Sequence, residues 1–207
     1  MTTEETTAAR ANWWMSRQAP AAPVGYPDLM KALRSVQDRI SESVPDAGLV
    51  ADVTHLLREI VCLLEPSVEE NEWLRLSGTL DELPGRGQAF IPAIEYDRLE
   101  DGRVAGRVEF SSFHLGGNGA AHGGAIPLLF DDVLGRMVNH DQTSVARTAN
   151  LSVDYRNVTP VGRDLEVQAW IEREEGRKTY ARGELWDGQV LCAEARGLFV
   201  TLQPGQP

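Results

Sequence analysis

Two rhythms of apolar residues divide the chain. Leu29, Leu33, Val36, Ile40 and Val44 recur at intervals of three and four, the spacing that lines one face of an α-helix. The run breaks at "VPDAG", where Asp46 can accept from the free N–H groups that open a second helix. Val50, Val53, Leu57, Ile60 and Leu64 repeat the spacing, and Pro66 lies just past its end. These segments predict a helical hairpin covering another part of the fold, with a partner-binding role as the alternative. Glu65 to Glu82 carries six acidic residues against Arg75 alone and reads as a solvated connector.

From about Ala89 the period falls to two, the mark of strands with one buried face. Val104, Gly106, Val108 and Phe110 alternate with Arg103, Ala105, Arg107 and Glu109. Leu151, Val153 and Tyr155 alternate with Ser152 and Asp154, and Leu165, Val167, Ala169 and Ile171 follow the same rule. Asp101-Gly102, Glu175-Gly176 and Asp187-Gly188 mark turns, since a tight hairpin needs residues tolerant of positive φ. The order is strand, strand, helix, then four strands. Ala181 and Gly183 share one face of a late strand, as do Ala193, Ala195 and Gly197. Small side chains there admit a helix close to the sheet, and the helix expected from about 123 to 139 is the occupant. The expected fold is α+β, an antiparallel sheet wrapped around one central helix. Residues 1–27 read as loosely ordered, with Trp13 and Trp14 free to dock on the body. Residues 28–84 form the helical hairpin and connector, and 85–207 the sheet domain.

Composition narrows the function classes. With 42% hydrophobic residues, a chain of 207 can bury a real core. A net charge of -11 argues against general nucleic-acid binding, which requires a basic surface. Any phosphate-bearing ligand would need a local cluster of arginines and lysines. Cys62 and Cys192 fall in apolar runs without a CxxC pair, which favours free thiols in a reducing cytosol over a disulfide framework or zinc site. The N-terminal stretch has no apolar run of signal length, and nothing approaches the roughly 18 apolar residues of a membrane span. The expectation is a soluble cytoplasmic protein without membrane or nucleic-acid partners.

The candidate chemistry lies in "GNGAAHGGAIPLLFDDVLG". Gly123 and Gly124 open the central helix, where unpartnered N–H groups and the positive end of the dipole suit an oxyanion. Asp131, two turns further on, could serve as nucleophile or general base toward a carbonyl held there. The same residues also fit a plain tight turn followed by a solvated aspartate. His55, His114, His140 and His122 show no metal-ligand spacing, so no metal is expected. His114, at a strand end, reads as structural.

"HGGAIPLLFDDVLG" resembles the HGG-x(6)-D-x(3)-G signature of the hotdog-fold acyl-CoA thioesterases, in particular the PaaI group and the human thioesterase superfamily members. "TANLSVDYRNVTPVG" is similar to the strand that follows their helix. The resemblance covers roughly residues 85 to 203. It implies a hotdog fold and hydrolysis of an acyl-CoA to free acid and CoA, with no cofactor beyond the CoA of the substrate. It also implies a homodimer or dimer of dimers with sites at the subunit interface. By position, the catalytic carboxylate falls on Asp131, the oxyanion donor on the Gly123 N–H, and carbonyl or helix orientation on His122. Thr148 takes the place of the residue that a neighbouring subunit supplies to hold water, so that it would face Asp131 from another chain. Many relatives carry an amide six residues before the histidine. Here that position is Gly116, and the nearest amide is Asn118. Arg156, Arg177 and Lys178 are the candidates for a cluster binding the CoA phosphates. The alternative of another class is a non-catalytic acyl-CoA-binding or scaffolding protein, motivated by Gly116 and the helical extension.

Overall fold

The computed structural model describes residues 21–100, 102–140, 145–203 and 206. Trp13, Trp14, Asp101 and Asp141 lie outside them. The chain forms two compact units that divide between Gly87 and Gln88.

The first unit carries helix α1 (Tyr26–Glu42) and helix α2 (Ala47–Leu64). Asp46 caps α2 by accepting from the Leu49 N–H at 2.8 Å, satisfying one of the donors a helix start leaves open. Both helices form where the spacing places them. Neither buries a single residue, however, and Leu29, Leu33, Ile40, Val50, Ile60 and Leu64 are all exposed. Val36 of α1 and Val53 and Leu57 of α2 are half-buried, while the rest of the two apolar seams lies open. The link is extended at Ser43 and Asp46, with Pro45 disfavouring helix in the residue before it. The connector is less solvated than its charge suggests, because Thr79 and Leu80 are buried. Tyr26 donates its hydroxyl hydrogen to the Gly87 carbonyl at 3.0 Å and ties the ends of the unit together.

In the second unit, six of the described strands form one antiparallel sheet. They are β1 (Ile94–Glu100), β2 (Arg103–Glu109), β5 (Ala146–Tyr155), β6 (Asp164–Glu175), β7 (Lys178–Asp187) and β8 (Val190–Thr201), in the order β1-β2-β6-β7-β8-β5. The ribbon β3 (Leu115–Gly117) and β4 (Ala120–Ala121) precedes helix α3 (Ala125–Val138). Leu129, Phe130, Val133 and Leu134 of α3 are fully buried with Val167, Leu185 and Phe199 of the sheet.

The small-residue face does what the sequence suggested. A Cβ built on Gly183 would lie 2.8 Å from Cδ1 of Phe130, and one on Gly197 3.1 Å from Cδ1 of Leu134. The helix therefore approaches to a distance that only a bare backbone allows, beside the buried Ala181, Ala193 and Ala195. Strand β5 pairs with β8 alone and lies at the edge of the sheet. Among the described residues, the outer edge of this ten-residue strand has no neighbouring strand.

Candidate active site

The start of α3 is held from several sides. The Ala121 N–H donates to the Thr159 carbonyl at 2.8 Å, and the Val161 N–H to the Gly119 carbonyl at 3.0 Å. These bonds fix the β3–β4 ribbon on the turn that follows β5. The His122 N–H donates to the His114 carbonyl at 2.7 Å. His114 is buried, edge-on to Phe110 and Phe113, and its Nδ1 accepts from the Ser111 N–H at 3.2 Å. Its role is structural: it anchors the residue that opens the glycine turn.

His122 itself is exposed, and its Nδ1 accepts from the Gly124 N–H at 3.0 Å. The Gly123 carbonyl accepts from the Tyr155 hydroxyl at 2.6 Å. The Gly123 N–H has no partner among the described residues, at a helix N-terminus where the backbone dipoles favour negative charge. It is a donor ready for a ligand oxygen.

The two adjacent aspartates part company on α3. Asp132 is 7% exposed and belongs to the core side of the helix. Asp131 is exposed, and its Oδ1 accepts from the Thr148 hydroxyl at 2.8 Å. This bond lies within one chain, so the expectation that Thr148 faces Asp131 from a neighbouring subunit is corrected. The cause is a bulge. Thr148 pairs with Phe199, but the next pair is Asn150 with Leu198, so Ala149 is the extra residue. Without it, Thr148 and Leu151 would point to opposite faces. With it, both face the helix side, as does Phe199.

Asp131 and Gly123 do not meet in one chain. Eight residues separate them, about 12 Å at 1.5 Å rise per residue, whereas oxyanion donor and catalytic carboxylate must each come within about 3 Å of the same reacting group. They also associate with different ends of β5: Asp131 with Thr148, Gly123 with Tyr155. Within one chain the Gly123 N–H and the Asp131 carboxylate therefore lie apart along β5.

Gly116 has a steric reason. A Cβ there would lie 2.8 Å from the His122 Cα, so no amide side chain fits at that position. Asn118 sits at the exposed ribbon tip with φ of 50°. Nor do the basic candidates cluster in one chain. Arg156 follows the last residue of β5 and is held by Glu194 at 2.9 Å and Asp154 at 3.2 Å; the hydrogen bond to Glu194 raises its pKa, and the nearby carboxylate charges add to this. Arg177 donates to the Thr201 carbonyl at 3.0 Å. Lys178 pairs with Val200, which on its other side pairs with Arg147. Arg177 and Lys178 therefore lie level with the Thr148 end of β5, and Arg156 lies at the opposite end. Tyr155 was read from the sequence only as the end of an alternating run. The available signal was its place on the same face as Leu151 and Val153.

The family model described as Thioesterase superfamily matches residues 118–193, a span that takes in Gly123, Asp131, Thr148 and Tyr155. Residues 118–193 are thus similar to the thioesterase superfamily. The acyl-coenzyme A thioesterase THEM4 of Xenopus laevis is 35% identical over 141 residues, 67% of this chain and 61% of that protein. The mouse THEM4 is 32% identical over 124 residues, 58% of this chain and 52% of that one. The chain thus spans between about half and three fifths of these relatives' length. The crystal structure of a thioesterase superfamily protein superposes with a TM-score of 0.73 at 26% identity, covering 88% of this chain and 97% of that one. The Escherichia coli PaaI protein of the phenylacetic acid degradation operon superposes at TM-score 0.50 with 19% identity, over 54% of this chain and 80% of its own. At that identity the likeness concerns the fold, which is the hotdog arrangement of sheet and central helix. The matched residues include both Gly123 and Asp131, which lie toward opposite ends of a single edge strand.

Proposed function

We propose that the protein hydrolyses an acyl-CoA thioester to free acid and CoA at sites shared between two copies of the chain. The observation that carries this reading is the separation of Gly123 and Asp131 along β5. Two copies pairing their β5 edges antiparallel, about Leu151–Ser152, set Asp131 and Thr148 of one copy beside Gly123 of the other. A two-fold pairing of one strand with itself completes two sites at once. The relatives named acyl-CoA thioesterase support the substrate class.

In each completed site the thioester carbonyl oxygen accepts from the Gly123 N–H, and the donor strengthens its hold as the oxygen becomes an oxyanion. Asp131 of the other copy acts as base toward water or as nucleophile, with the Thr148 hydroxyl fixing the carboxylate and the water beside it. CoA leaves as the thiol. The same pairing brings Arg156 of one copy toward Arg177 and Lys178 of the other, which supplies the cation cluster that one chain lacks. Cys62 and Cys192 are both unpaired, which suits a reducing compartment, and we place the enzyme in the cytosol. Among the described residues no helix is long and apolar enough to cross a membrane.

The test is thiol release from acyl-CoAs that are short, long and aromatic, with wild type and Asp131→Asn side by side. Release that tracks one acyl class and falls at least about 10²-fold in the variant is expected. Binding of acyl-CoA without release by the folded wild type would move the protein to the non-catalytic class.

A further inference from the structure

Tyr155 is half exposed on an edge strand, where a phenol ordinarily turns its hydroxyl to water. Here its one donor hydrogen goes to the Gly123 carbonyl at 2.6 Å. That carbonyl and the Gly124 N–H belong to the same peptide unit, and the Gly124 N–H donates to His122 Nδ1 at 3.0 Å. The result is a chain of polar groups running from a phenol, through one peptide, to an imidazole.

Each link has a physical consequence. A hydrogen bond accepted by a peptide carbonyl polarises the unit and makes its N–H a stronger donor. A ring nitrogen that accepts must carry its lone pair, so the neutral ring holds its proton on Nε2. The ring lies close to the Gly124 backbone, where a Cβ would come within 3.2 Å of Nδ1, and the His122 backbone is held by the His114 carbonyl at 2.7 Å.

We propose that Tyr155 is a positioning residue that acts through the Gly123–Gly124 peptide to hold His122 as the Nε2–H tautomer, presenting that N–H as a donor next to the Gly123 N–H. The inference rests on the thioesterase reading only for its kinetic readout.

Tyr155→Phe keeps the ring and removes only the hydroxyl. The expected result is a fall in kcat of about tenfold, the loss of roughly one hydrogen bond, with KM unchanged. In a His122→Ala background the same substitution should cost little more, because the two residues act on one path. The second readout needs no turnover. The ¹⁵N signals of His122, assigned from the His122→Ala spectrum, should show protonated Nε2 and accepting Nδ1 in the wild type, and move toward a mixture of tautomers in Tyr155→Phe. Unchanged His122 signals in Tyr155→Phe, or losses that simply add in the double variant, overturn the proposal. A wild type that releases no thiol counts against the thioesterase reading alone, because the nitrogen signals still decide the role of Tyr155.

Discussion

The Thr148 hydroxyl and the Asp131 carboxylate of one chain are hydrogen-bonded at 2.8 Å, across the gap between the edge strand and the central helix. The bulge at Ala149 brings them together by turning Thr148 to the helix side. A donor at that distance fixes the orientation of the carboxylate. Thr148→Ala should therefore lower kcat by about 10- to 100-fold, the range for a hydrogen bond to a charged group. Thr148→Ser, which keeps the hydroxyl, should retain most of the activity. Equal losses in both variants would mean that the methyl group, not the hydroxyl, matters.

Gly116 yields a prediction opposite to the one that resemblance alone suggests. Installing the amide of the relatives, as Gly116→Asn, should reduce activity, because its Cβ meets the His122 Cα at 2.8 Å. A displaced His122 alters the glycine turn that it anchors. Steady-state kinetics on Gly116→Asn check this, and a gain in kcat would show that the ribbon yields without harm.

Two glycines, Gly183 in the sheet beneath α3 and Gly135 within α3 itself, should respond in opposite directions. Gly183→Ala forces a methyl group against Phe130 at 2.8 Å, and overpacking of this kind costs about 1–3 kcal/mol. Gly135→Ala meets only Phe199, at an ordinary 3.7 Å, and should stabilise by up to about 1 kcal/mol because alanine favours a helix interior. Thermal unfolding of the two variants against wild type reads both effects.

The two thiols differ in access. Cys62 is exposed on α2, whereas Cys192 is buried in β8, and burial pushes its thiol pKa up. The neutral thiol is a poor nucleophile. A thiol reagent at neutral pH should modify Cys62 in the native protein and reach Cys192 only after unfolding. Mass spectrometry of the modified chain distinguishes one adduct from two.

Much of the architecture was legible because it follows from periodicity and residue size. Alternation marks the strands, glycine marks the hairpin turns, and Gly183 and Gly197 mark where α3 lies against the sheet. Motif spacing also sets Asp131 apart from Asp132, and α3 exposes the first while burying the second. Three features were not legible. A bulge adds a residue without disturbing composition, so nothing in "RTANLS" shows that Thr148 shares a face with Leu151. Periodicity shows that α1 and α2 each have an apolar seam, but not that most of the seam stays exposed among the described residues. The spacing of Arg156, Arg177 and Lys178 along the sequence concealed that antiparallel pairing carries them to opposite ends of the sheet.

The central claim is that each site draws Gly123 from one chain and Asp131 from another. The direct test refolds Asp131→Asn together with Gly123→Pro, which lacks the N–H donor. Each variant alone should be inactive. If the sites are shared, every mixed dimer contains one intact site, and the mixture should regain about a quarter of wild-type activity from statistical pairing about a two-fold axis. Mixed dimers that form but remain inactive would contradict the account.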